Sequence, residues 1–175
     1  MASTAERRRF AGVVVAVIAL DILTKRLAEA YLPLHRGVPV LGDLFQLQLV
    51  YNRGAAFGIH VGDASRWIFM GLTVVALVVL AAMVRGTRPG HLLRYYSLAA
   101  VMAGATGNLI DRVRSGRGVV DFLLFSVGDF HWPNFNVADA AISCGAVALA
   151  LALWNEERSQ PAAAAAPEAA PPGQQ

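Results

Sequence analysis

The sequence predicts an all-α membrane protein with four transmembrane helices and a small extracytoplasmic β-sheet between helices one and two. Three observations carry this expectation. The 175 residues are 56% hydrophobic and only 15% charged, whereas ordinary soluble chains are roughly 25% charged. Trp67 to Val84 runs for 18 residues without a charge, close to the ~20 apolar residues that a bilayer-crossing helix needs. Phe45 to Asn52 alternates large apolar with mostly polar residues, the period-two pattern of a half-buried strand.

Each element follows in order. Residues 1–10 are polar and carry Arg7, Arg8 and Arg9, and an apolar run follows up to Asp21. This opening imitates a cleavable signal peptide, with Ala28-Glu29-Ala30 as a cleavage site. Asp21 and Lys25 argue against cleavage, because they interrupt the segment where a signal should be neutral. Phe10 to Tyr31 is therefore expected to be a retained first helix, about 30 Å long at 1.5 Å per residue. Asp21 and Lys25 are spaced i,i+4, so they share a face and can pair.

From Leu32 to Arg66 the chain is punctuated by Pro33, Gly37, Pro39 and Gly42, and it contains the predicted strand. Trp67 to Val84 is the second helix and Leu92 to Ile110 the third. Asn108 and Asp111, i,i+3, lie on one face of the third helix and its continuation. A fourth helix is expected from about Asn136 to Trp154. The folded unit is taken as residues 1–157, with the sheet region at about 32–66. The Ala/Pro-rich stretch 158–175 reads as a disordered tail. The excess of arginine in the first ten residues and in the Arg85 to Arg94 turn places both on the cytoplasmic side. Four spans then put both termini inside.

Composition also excludes some functions. The formal net charge of +3 is dispersed, with no basic stripe interleaved with aromatics, so nucleic acid is not an expected partner. Cys144 is the single cysteine. It rules out an internal disulfide or a multi-cysteine metal site and is expected to be a small core residue.

The chemistry is expected between Val119 and Asp139. Two carboxylates, Asp121 and Asp139, flank a short apolar and aromatic segment, and Asp139 stands at the mouth of an apolar run. Carboxylates at a membrane boundary are costly and signal function. A pair that shares a proton can activate water for hydrolysis. In the four-helix arrangement Asp21, Lys25, Asn108, Asp111, Asn136 and Asp139 all collect at one depth near the outer face, with Asp121 and the segment from Asn52 in the outer loops.

Five stretches resemble the lipoprotein signal peptidase (signal peptidase II) family of bacterial membrane aspartic proteases. They are Asp21-x-x-Thr24-Lys25, Asn52-x-Gly54-x-Ala56-Phe57, Gly104-x-x-Gly107-Asn108-x-x-Asp111-Arg112, Val119-Val120-Asp121-Phe122 and Phe135-Asn136-x-Ala138-Asp139. The resemblance implies removal of signal peptides just before a diacylglyceryl-modified cysteine in prolipoproteins, in the bacterial cytoplasmic (inner) membrane. It implies Asp121 and Asp139 as the catalytic pair, without metal or other cofactor. Asn52, Gly54, Asn108, Asp111, Arg112, Asn136 and Ala138 become supporting or substrate-binding positions, and Asp21 with Lys25 a structural pair. It assigns nothing to residues 122–135. Two rivals remain. A small transporter or proton-relay protein would show internal repeats and polar groups near mid-membrane. A Mg²⁺-dependent lipid-headgroup enzyme would use Asp111, Asp121 and Asp139 as ligands and would be stopped by a chelator.

Overall fold

A computed structural model describes residues 3–54 and 64–159. In chain order the elements are α1 (Thr4–Tyr31), β1 (Val38–Leu41), β2 (Phe45–Asn52), α2 (Ser65–Gly86), α3 (Leu92–Arg114), β3 (Val119–Val127), β4 (Phe130–His131) and α4 (Val137–Ser159). Four helices and a small antiparallel sheet are therefore present, as expected. The stretch Ala55 to Phe57 and the Ala/Pro-rich tail lie outside the described residues.

The helix ends have local causes. The first helix starts six residues before the expected Phe10 because Ser3 and Glu6 form a capping box. The Ser3 hydroxyl accepts from the Glu6 N–H at 3.1 Å, and the Glu6 carboxylate accepts from the Ser3 N–H at 2.6 Å. The helix stops at Tyr31, just ahead of Pro33, which cannot continue it. With 28 residues α1 is about 42 Å long. α3 runs past the expected Ile110 to Arg114, so Asn108 and Asp111 lie within the helix. α4 starts after Asn136, which caps it, and continues to Ser159.

The sheet needs a correction. Its strand order is β1-β2-β3-β4, and only the first two strands come from the loop between helices one and two. The other two come from the segment between α3 and α4, which the sequence presented only as an apolar loop. β2 and β3 pair antiparallel, with Phe45 opposite Phe125, Leu47 opposite Leu123, and Val50 opposite Asp121 after a bulge. Val119 to Phe122 are buried on both sides, so the start of β3 shows no alternation to mark it as a strand. Val120, Phe122 and Leu49 pack with Ala28 into a small core that seats the sheet on α1. Burial of each of the larger side chains stabilises by about 1.5–3 kcal/mol.

Among the helices, α3 is central and packs against α1, α2 and α4. The outward faces are apolar. Val15, Leu20, Leu23 and Leu27 on α1 are exposed, as are Leu72, Val75 and Val78 on α2 and Val147 and Leu151 on α4. Asp21 and Lys25 of α1 are buried instead, so this helix is polar inside and apolar outside. By length and composition α2 and α4 are each able to cross a membrane. Cys144 is exposed on α4 beside Val147 and Leu151, and is not the expected core residue. It lies on the outward face of a helix whose inner face is taken up by contact with α3.

That contact depends on small residues. A side chain on Gly104 would run into the Ala138 carbonyl oxygen and, at 2.8 Å, Ile142. We therefore expect Gly104→Val to force α3 and α4 apart and lower the thermal midpoint of the detergent-solubilised protein by several degrees. Gly71→Val, whose Cβ meets nothing within 4 Å, is the control and should leave the midpoint near that of the parent. Equal midpoints for both variants would show that the crossing does not need the glycine.

Candidate active site

The polar groups converge on the Lys25 ammonium. Its nitrogen lies 2.8 Å from Asp21 Oδ2, 2.9 Å from Asp111 Oδ2 and 3.0 Å from Asn108 Oδ1. An ammonium has three N–H donors, and here each has an acceptor. Two helices are joined at that point, and the carboxylates extend the link to two further elements. Asp21 Oδ1 accepts the Ala138 N–H at 2.9 Å in the first turn of α4, and Asp111 Oδ2 accepts the Val120 N–H at 3.3 Å on β3. Asp21 and Lys25 do pair as expected, but within a cluster that includes Asp111 and Asn108.

Asn108 and Asn136 carry this order to the two aspartates. Asn108 presents its oxygen to Lys25, so its amide nitrogen is turned to Asp139 Oδ1, 2.8 Å away. Asn136 Oδ1 accepts the Asp139 N–H at 2.9 Å, and the Asn136 N–H donates to Asp139 Oδ2 at 3.1 Å. This reciprocal pair is a capping box, so Asp139 is fixed by the start of its own helix. The Asn136 amide nitrogen is left to face Asp121 Oδ1 at 2.7 Å, and it also lies 3.2 Å from Asn108 Oδ1 and from the Val120 carbonyl. Asn136, wholly buried, thus touches both aspartates.

Asp121 stands on β3 opposite Val50, and not in a loop. Asn52 bonds its side chain as well. The Asn52 oxygen accepts the Gly54 N–H at 2.9 Å, which leaves the amide nitrogen as the donor to Asp121. Burial, and after it the charge of Asp139, pushes the Asp121 carboxyl up to about 7. The bonds from Asn52 and Asn136 oppose that rise without cancelling it.

The other expected residues stand further back. Arg112 donates to the Asn108 carbonyl at 3.2 Å and lies 5.7 Å from the centre of the Phe69 ring. Gly54 has φ +107°, and a Cβ there would come within 2.5 Å of Phe69, so a side chain is excluded twice over. Ala138 contributes its backbone N–H and its small size. Its Cβ would be 3.4 Å from a Cβ on Gly107, and Gly107 itself has room for nothing larger because Asp21 Oδ2 would lie 2.5 Å away.

A cleft of about 480 Å³ opens beside Asp121, lined by Val50, Tyr51, Asn52, Arg53, Pro133 and Asn134. Apart from Asn52 and Asp121, the sequence singled out none of these. Val50 was readable, because it shares the alternation that puts Asn52 on the Asp121 side of β2. Pro133 and Asn134 carried no signal; Asn134 is brought in by donating to the Gln48 carbonyl at 3.3 Å.

The chain as a whole is similar to known proteins. The family model for signal peptidase (SPase) II matches residues 13–155. The chain is 47% identical over 141 residues to the lipoprotein signal peptidase of Syntrophotalea carbinolica, covering 80% of this chain and 87% of that protein. It is 38% identical over 149 residues to the lipoprotein signal peptidase of Francisella tularensis subsp. novicida, covering 83% and 91%. A solved structure described as a bacterial membrane enzyme superposes with a TM-score of 0.78 at 26% identity, covering 87% of this chain and 91% of that one.

The cluster makes an unequal pair of demands on α1. Lys25→Met strands two buried carboxylates and should cost on the order of 3–5 kcal/mol. Asp21→Asn keeps an acceptor for the Ala138 N–H and leaves Lys25 with Asp111, so it should cost about 1–2 kcal/mol. Chemical denaturation in detergent measures both. A Lys25→Met protein as stable as Asp21→Asn would refute the central position given to the ammonium.

Proposed function

The chain belongs to the signal peptidase II family, and from that premise we propose that it is a membrane-embedded aspartic endopeptidase. It removes signal peptides from bacterial prolipoproteins by cutting before the diacylglyceryl-modified cysteine. The observation that carries the aspartic mechanism is Asn136, whose side-chain amide holds Asp121 and whose backbone N–H holds Asp139. One residue thereby sets the relative placement of both carboxylates.

The chemistry follows from the surroundings of each group. Asp139 accepts an N–H on each oxygen, as an ionised carboxylate does, and serves as general base. It takes a proton from a water that attacks the scissile carbonyl carbon. Asp121, pushed up to about 7, holds a proton near neutral pH and donates it to the carbonyl oxygen. Collapse of the tetrahedral intermediate breaks the C–N bond, and a carboxyl proton passes to the leaving amine. The cleft beside Asp121 receives the peptide, while the acyl chains of the modified cysteine stay in lipid.

All four helices span the cytoplasmic membrane in this reading. α1 and α3 carry buried polar side chains yet cross because those groups satisfy one another inside the bundle. Both termini are cytoplasmic, by the arginines of residues 7–9 and of the α2–α3 turn, and the sheet and the aspartates are at the extracytoplasmic face. The domain is taken as residues 1–157, followed by the tail.

Two tests follow. Asp121→Asn and Asp139→Asn should each lower cleavage of a lipid-modified prolipoprotein by at least about a thousandfold while the protein still folds. Robust turnover by either would exclude the pair as the catalytic residues. The second test is the pH profile of kcat/KM. Raising pH through about 7 removes the Asp121 proton and leaves two carboxylates and no acid, so activity should fall on the alkaline side with a midpoint near 7. A profile flat from pH 6 to 9 would remove Asp121 as the acid.

A further inference from the structure

A second cavity lies away from the aspartates. It encloses about 810 Å³ between the α2–α3 turn and the last turns of α4, and its charged lining residues are Arg88, His91, Arg94 and Glu156. The amino-terminal part of α1 abuts the same end. The Gly90 N–H is 3.4 Å from Glu6 Oε1, and the Phe10 and Tyr95 rings are 4.7 Å apart.

In the cavity lining, basic side chains outnumber acidic ones. Glu156 is its one acidic lining residue, and both of its oxygens are engaged, by His91 Nδ1 at 2.6 Å and Arg94 Nη1 at 3.0 Å. The Nε–H of Arg94 is buried and, among the described residues, has no hydrogen-bond partner. Arg88 lines the cavity from an exposed position, and among the described residues its guanidinium has no hydrogen bond or ion pair. Two guanidinium groups therefore face a single carboxylate, each oxygen of which already accepts one donor. A buried, unpaired N–H costs about 1–3 kcal/mol, and an anion in the cavity would remove that cost. Leu92 and Leu93, 42% and 51% exposed, border the same cations, which gives the lining an apolar side.

We propose that this cavity binds the phosphate headgroup of an anionic phospholipid, with Arg88 and Arg94 on the phosphate and Leu92 and Leu93 against the glycerol and first acyl carbons. Planar guanidinium groups suit phosphate oxygens, which they can engage in pairs. The apolar border favours a lipid over free phosphate. The four-span reading sets only the leaflet, which is the cytoplasmic one.

The test uses the full chain in detergent and no prolipoprotein, so its outcome is independent of protease activity. Binding of phosphatidylglycerol, phosphatidylcholine and inorganic phosphate is counted by native mass spectrometry, and folding is checked by thermal unfolding. Phosphatidylglycerol should bind best. Arg88→Ala, at an exposed position, should weaken it about tenfold, as loss of one charge-assisted contact does. Arg94→Lys should also weaken it while keeping a cation beside Glu156. Arg36→Ala, at an exposed residue ahead of β1, should leave it unchanged. Equal binding of the zwitterionic lipid, or an Arg88→Ala protein that binds like the parent, would overturn the proposal. Inorganic phosphate binding as tightly as phosphatidylglycerol would overturn the assignment to lipid.

Discussion

A charged ammonium buried among helices is tolerable only if every one of its protons is accepted, and the rest of this structure is arranged to meet that condition. In a bilayer, packing and hydrogen bonds hold helices together without much hydrophobic drive between them. Lys25 supplies such a link here. Its three acceptors come from α1 and α3, and two of those acceptors reach on to α4 and β3. Removing it would leave Asp21 and Asp111 facing each other's charge in a medium that screens poorly.

The asparagines convert this arrangement into direction. An amide offers an oxygen on one side and a nitrogen on the other, so fixing one end aims the opposite end. Lys25 fixes the oxygen of Asn108, and the first turn of α4 fixes the oxygen of Asn136. Both amide nitrogens then point to carboxylates. In this way a cation with no contact to Asp139 decides which hydrogen bond Asp139 receives. Support and site are thus one network, and the division between a structural pair on α1 and supporting residues elsewhere is less sharp than the sequence suggested.

Much of this was legible in the chain, and the unreadable parts have physical reasons. The i,i+4 spacing of Asp21 and Lys25 fixes a shared face on any helix, and the charge-free run of α2 leaves little else for it to be. The true start of α1 is marked by the capping-box spacing of Ser3 and Glu6, a signal that lies ahead of the apolar run and is independent of it. β3 was hidden because alternation appears only when one face of a strand meets water, and Val119 to Phe122 have none. The meeting of Lys25 with Asp111 crosses 86 positions, and nothing local encodes a contact of that range. Asp139 could be read as an ordinary helix-start carboxylate or as one of a reactive pair. It has the capping geometry of the first, and through Asn136 the same bonds fix its position relative to Asp121.

The close spacing of Asp21 and Lys25 also bears on biosynthesis. In the four-span arrangement proposed above, a chain inserted from its amino terminus places α1 in lipid before α3 has been made. Because its acid and its base are one turn apart and 2.8 Å from each other, α1 would then carry a neutral pair into the bilayer and need no partner helix for its charge. Asp111 then arrives at a lysine that is already in place, and the last helix arrives at an aspartate with a free oxygen for its leading N–H. The order of synthesis is thus the order in which the network can close.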